Sequence, residues 1–133
     1  MAQVAAFDKY AQLGAYHWAE YARGTTYGRH AERMAALISE RPVLDVGCGD
    51  GLITHLLDGF GIDPEPVGVD LAIARGVRAR VGRVEDLPGC LPRDWPQRYG
   101  AVYLGDVLEH LTHPRRALRA IGRVDLLRNQ GAP

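Results

Sequence analysis

Apolar and polar positions change period several times along the chain, and each change marks an element. Over residues 3–23, Phe7, Tyr10, Tyr16, Trp18 and Tyr21 recur at roughly helical spacing, interrupted near Gly14. Gly24-Thr25-Thr26 reads as a turn with Thr26 as N-cap. Residues 27–40 then carry His30, Met34, Leu37 and Ile38 at the spacing of one helix face. Pro42 closes that helix and introduces a short apolar strand over 43–46. Asp50 is placed to cap a helix over 51–58, with Ile53, Leu56 and Leu57 inward and Gly59 and Gly61 ending it.

Residues 66–71 read as a second strand ending in Val69-Asp70-Leu71, with a turn of helix over 72–75. Residues 77–84 alternate apolar and basic, as a strand near a sheet edge does. A proline-rich loop over 88–96 precedes a fourth, apolar strand over 99–105. A last helix over 114–127 turns Ala117, Leu118, Ile121 and Val124 inward. Strands alternating with helices predict an α/β fold: a Rossmann-like, doubly wound, mainly parallel sheet of about four strands with N-terminal helices. The expected organisation is a helical cap over 1–41 and a ligand-binding domain over 42–133.

Composition narrows the function classes. The chain has 133 residues, 47% apolar and 24% charged, with zero formal net charge. That suits one globular domain and argues against broad attraction to nucleic acid or an anionic membrane. Lys9 is the single lysine, and the local run Arg75, Arg78, Arg80 and Arg83 reads as a solvated face. Two isolated cysteines, Cys48 and Cys90, make neither a disulfide framework nor a metal-ligand set, so no metal is expected. No secretory pattern opens the chain and no apolar run reaches membrane-spanning length, so a cytoplasmic location is the expectation.

The chemistry concentrates where the first strand ends. Val43-Leu44-Asp45-Val46-Gly47-Cys48-Gly49-Asp50-Gly51 passes from an apolar run through an acid into three glycines at alternate positions. Glycine there lets a ligand lie against bare main chain at a helix N-terminus. Asp70, 23 residues after Gly47, is spaced to grip the ribose hydroxyls of a dinucleotide or of S-adenosylmethionine. A dinucleotide fingerprint needs G-x-G-x-x-G; Leu52 stands at the third place and the pattern is G-x-G-x-G, which disfavours a pyrophosphate.

Leu44-Asp45-Val46-Gly47-Cys48-Gly49-Asp50-Gly51, Val67-Gly68-Val69-Asp70-Leu71, Glu85-Asp86-Leu87-Pro88 and Asp106-Val107-Leu108-Glu109-His110-Leu111 resemble, in order and spacing, the successive motifs of class I S-adenosylmethionine-dependent methyltransferases. The resemblance covers about residues 43–127. It implies S-adenosyl-L-methionine as cofactor and S-adenosyl-L-homocysteine as product. Gly47, Cys48, Gly49 and Gly51 would lie under the methionine and ribose, with Asp45 orienting the methionine end. Asp70 would hold the ribose, Leu71 would pack on the adenine, and Val84 and Glu85 would meet its edge. Asp106 would reach the rim from the fourth strand, and Tyr16 and Tyr21 would close a lid and donate to the cofactor carboxylate. Arg83 stands where the family usually has an acid.

The implied reaction is in-line methyl transfer to a small-molecule acceptor, with His110 as the general base where the attacking atom must lose a proton. His113, before Pro114, reads as a turn residue. The family's sheet has seven strands, so four leave the sheet incomplete and the apolar fourth strand open along one edge. A homodimer or a partner chain on that edge, or a truncated member of the family, is the expectation. A non-catalytic S-adenosylmethionine- or S-adenosylhomocysteine-binding module is the alternative, and an NAD-dependent oxidoreductase a weaker one.

Overall fold

Strand β1, Val43–Val46, is buried at all four residues because both of its edges and both of its faces are covered. The computed structural model describes residues 9–105, 107 and 110–126. Within them β2 (Phe60–Asp63), β3 (Arg78–Val81) and β4 (Ala101–Leu104) join β1 in a parallel sheet of order β3-β2-β1-β4. Leu44 pairs with Phe60 on one side and with Val102 on the other, so the carboxyl ends of β1, β2 and β4 share one rim. The parallel α/β sheet is the one the sequence predicts.

Helices cover both faces. Leu44, Val46 and Ile62 pack with Val84, Leu87, Tyr99 and with Ala117 and Ala120 of α5 (Pro114–Gly122). A second cluster joins Cys48, Val77 and Ala79 to Val69 and Ala72 of α4 (Pro66–Ala74) and to Trp18 of α1 (Tyr16–Ala22). Helix α2 (Thr26–Leu37) packs on α1, and α3 (Leu52–Leu56) follows the glycine loop. Gly14, at φ +64°, separates a helical stretch over 9–13 from α1. After α5 the chain returns to the start of β4, where Leu126 bridges Tyr99 in parallel and Tyr99 donates its N–H to Asp125 O over 2.9 Å. Among the described residues β4 is otherwise the end strand, and its four residues are half-buried.

Several expectations are corrected. The second strand is Phe60–Asp63 and not 66–71. Pro66 sits in the first turn of α4, where its missing N–H costs nothing, and the Glu65 side chain accepts from Val67 N–H. Gly61 does not end a helix but fits inside β2, because a Cβ there would lie 2.6 Å from the Cβ of Cys48. Helix α2 buries Gly28 and Ala31, leaving His30 and Leu37 exposed. It starts from Thr25, whose hydroxyl donates to Glu20 O. Asp50 does not cap α3; Gly51 occupies that position in the left-handed conformation. In α5, Leu118 faces solvent.

Candidate functional site

The turn after β1 is tied to the neighbouring strand. The N–H groups of Gly47 and Cys48 both donate to Ile62 O, over 2.8 and 2.9 Å, and Gly49 N–H donates to Asp63 Oδ2 over 2.9 Å. Gly47, Gly49 and Gly51 all take positive φ, as the notation G-x-G-x-G anticipates. At Gly49 the requirement is also steric, since a Cβ would collide with the Tyr10 hydroxyl.

Three carboxylates stand around this turn. Asp63 closes β2, 16 residues after Gly47, and its other oxygen accepts Glu65 N–H over 2.8 Å. Burial and the Glu65 charge raise its pKa, while the two backbone donors pull it down. Asp45 is 2% exposed and accepts the Thr54 hydroxyl on Oδ2 over 2.7 Å. Burial pushes it up to about 7 against that bond, with Asp63 adding to the rise. Asp50 is 1% exposed. Its carboxylate accepts the backbone N–H of His17 and lies 3.1 Å from His17 Nδ1, while its carbonyl accepts Trp18 Nε1–H over 2.7 Å. Ala15 at the N-cap of α1 brings no side-chain acceptor, so Asp50 caps that helix from across the fold.

The N-terminal helices thereby roof the glycine loop. His17 stacks on Tyr27 with ring centres 4.7 Å apart and lies 4.1 Å from Tyr16. The Tyr10 ring lies over Gly49 and reaches Gly68 of α4. Burial, then the Asp50 charge, raises its pKa. Between roof and loop is a cavity of about 200 Å³. Its floor is Asp45, Gly47, Cys48 and Gly49; Tyr10, His17, Tyr27 and His30 line it from the N-terminal segment, and Tyr103 and Gly105 from β4. Whole ligand sites run to roughly 300–1,000 Å³, so this cavity is smaller than a site that encloses a whole ligand. Cys48 is buried and its thiol is pushed up by that burial, in keeping with a spacer in the loop.

The structure brings Asp45, Gly47, Cys48 and Gly49 together at the cavity, and Gly51 ends the same turn. Asp70 and Leu71 are placed elsewhere: both lie within α4, and Asp70 is exposed. Asp63 takes the strand-end position the sequence reading gave to Asp70. Val84 and Glu85 follow β3 in the 3₁₀ turn Val84–Asp86; Gly82 N–H just before it donates to Asp63 O, while the Val84 side chain joins the core. Tyr16 packs its ring at a tilt against His17 in the roof, Tyr21 packs against Gly28 where α1 crosses α2, and neither lines the cavity. His110 is exposed and does not line it either. His113 precedes α5 at the N-cap. Asp106 and Phe7 lie outside the described residues. Sequence reasoning missed Asp63, Thr54, and the cavity positions of Tyr27, His30 and Tyr103. Asp63 had a signal in Pro64, which follows it and restricts it to extended backbone.

A family model described as a methyltransferase domain matches residues 18–131. The ubiquinone biosynthesis O-methyltransferase of Klebsiella pneumoniae is 29% identical over 104 residues, covering 73% of this chain and 43% of that protein. The chain thus spans less than half the length of the curated relatives it matches. Among solved structures, a TehB-like S-adenosylmethionine-dependent methyltransferase from Corynebacterium glutamicum superposes with a TM-score of 0.65 at 23% identity, over 91% of this chain and 67% of that one. The plantazolicin methyltransferase BamL, crystallised with SAH and a triazolic desmethylPZN analogue, superposes with a TM-score of 0.62 at 13% identity, over 90% of this chain and 51% of that one.

Proposed function

Because this chain belongs to the class I S-adenosylmethionine-dependent methyltransferases, we propose that it binds S-adenosylmethionine across the carboxyl ends of β1 and β2 and supports methyl transfer to a small-molecule acceptor. The observation that carries this reading is the junction of Gly49 with Asp63: bare backbone after one strand, held against a carboxylate closing the next. Asp63 would take the ribose hydroxyls, Asp45 and the glycine loop the methionyl end, and the Val84–Asp86 turn the adenine edge. Leu52, 1% exposed, fills the helix start where a dinucleotide site needs its third glycine.

The bound cofactor supplies an activated methyl group, so the protein's task is chiefly positioning, worth on the order of 7 kcal/mol or more. A base is needed only where the acceptor must lose a proton. For a hydroxyl acceptor, as the name of the Klebsiella relative implies for that enzyme, His30 is the imidazole at the cavity that is not engaged with Asp50. The reading extends to a cytoplasmic protein, to N-terminal helices acting as a cap, and to a second copy or partner chain along the edge of β4.

A non-catalytic binding module is the second reading, favoured by the placement of His110 away from the cavity. Calorimetric titration with S-adenosylmethionine, S-adenosylhomocysteine and NAD tests the cofactor. Binding of the first two without the third supports the proposal, and binding of NAD alone defeats it. Release of labelled methyl groups into a cell extract separates turnover from mere binding.

A further inference from the structure

Thr54 is fully buried in the middle of α3, so its hydroxyl must find a partner inside the protein. A buried hydroxyl in a helix commonly donates to the carbonyl four residues earlier. Here that carbonyl belongs to Asp50 and accepts Trp18 Nε1–H. The Thr54 hydroxyl instead crosses to Asp45 Oδ2 over 2.7 Å, a well-formed O–H···O bond. The acceptor is a carboxylate that is 2% exposed and faces the cavity. One neutral donor does not balance a buried negative charge, and no Lys or Arg is among the described residues lining the cavity. The second oxygen therefore suits a cationic group on the ligand.

We infer that Thr54 is a positioning residue for cofactor recognition: its hydroxyl holds the Asp45 carboxylate charged and turned to the cavity, where it accepts the ammonium of the methionyl end. This rests on the reading of the site as one for S-adenosylmethionine. Facing Asp45 from the loop are Cys48 and Asp50, and from β2 the Asp63 charge, which opposes ionisation of Asp45. From β4 comes Tyr103, and from the N-terminal segment Tyr10, His17, Tyr27 and His30. Beneath them the Thr54 hydroxyl donates to the Asp45 carboxylate.

The test compares two nucleosides by calorimetry: S-adenosylhomocysteine, which carries the ammonium, and 5′-methylthioadenosine, which lacks the amino-acid end. Thr54→Val should weaken S-adenosylhomocysteine about tenfold near neutral pH, leave methylthioadenosine within about twofold, and shift the acid-side loss of S-adenosylhomocysteine affinity to higher pH. Thr54→Ser should restore both the affinity and the pH profile. Equal weakening of the two nucleosides, or an unchanged S-adenosylhomocysteine profile in Thr54→Val, overturns the inference alone. Failure of both nucleosides to bind the unaltered protein overturns the cofactor reading, and the inference with it.

Discussion

Gly49 N–H donates to Asp63 Oδ2 over 2.9 Å, so the turn after β1 is tied to the end of β2. The bond holds the carboxylate beside bare backbone before any ligand arrives, which lowers the ordering cost of binding. Asp63→Ala should therefore lower S-adenosylhomocysteine affinity by tenfold or more, on the scale of about 1.5–3 kcal/mol for a hydrogen bond to a charged group. Asp70→Ala, on the exposed side of α4, should leave the affinity unchanged. Calorimetric titration of the two variants decides it; equal losses would return the ribose role to Asp70.

The parts of the fold that sequence made legible were those where periodicity and glycine chemistry agree. Val43–Val46 is a continuous apolar run entering a glycine turn, and it is β1 at those bounds. The second strand was misplaced because Gly61 is a poor strand former by composition and is needed there only for its missing Cβ against Cys48. The alternating Val67, Val69 and Leu71 imitate a strand, yet Pro66 starts a helix through them. The same shift carried the ribose assignment from Asp63 to Asp70. Thr54 and the Asp50–His17 contact were invisible for another reason: both are tertiary hydrogen bonds between segments 9 and 33 residues apart.

Asp45 should impose a pH dependence on stability. Its carboxyl is raised from 3.8 to about 7 in the folded chain, so the folded state holds the proton more tightly than the unfolded state. The contribution of Asp45 to stability then falls as pH rises between the two values and is level on either side. Asp45→Asn removes this dependence. Urea unfolding should show Asn gaining on Asp from about pH 4 to pH 7 and then holding a constant advantage of a few kcal/mol at most. A difference independent of pH would show that Asp45 is not titrating in that range.

Asp50 anchors the roof. Removing its carboxylate leaves the His17 N–H at the start of α1 without its acceptor and breaks the contact to the His17 ring, a loss of roughly 1–3 kcal/mol. The damage should be local, because β1 and β2 are held by their own ladder. In Asp50→Ala, amide hydrogen exchange should quicken across Tyr16–Ala22 while Leu44 and Ile62 remain protected. Uniform loss of protection across the sheet would place Asp50 in the core of the fold and not at its latch.

Gly61 and Cys48 should couple. A Cβ on Gly61 would stand 2.6 Å from Cys48 Cβ, 2.8 Å from its Sγ and 3.1 Å from Thr54 Oγ1. Gly61→Ala forces the loop away from β2 at a cost of roughly 1–3 kcal/mol, and it strains the Gly47 and Cys48 bonds to Ile62 O. Cys48→Gly, which removes both the Cβ and the Sγ, should recover part of that cost when combined with Gly61→Ala. A double-mutant cycle in urea should therefore give a favourable interaction energy of at least about 0.5 kcal/mol. Strict additivity would mean that the contact relaxes elsewhere, with the loop free to shift without Cys48.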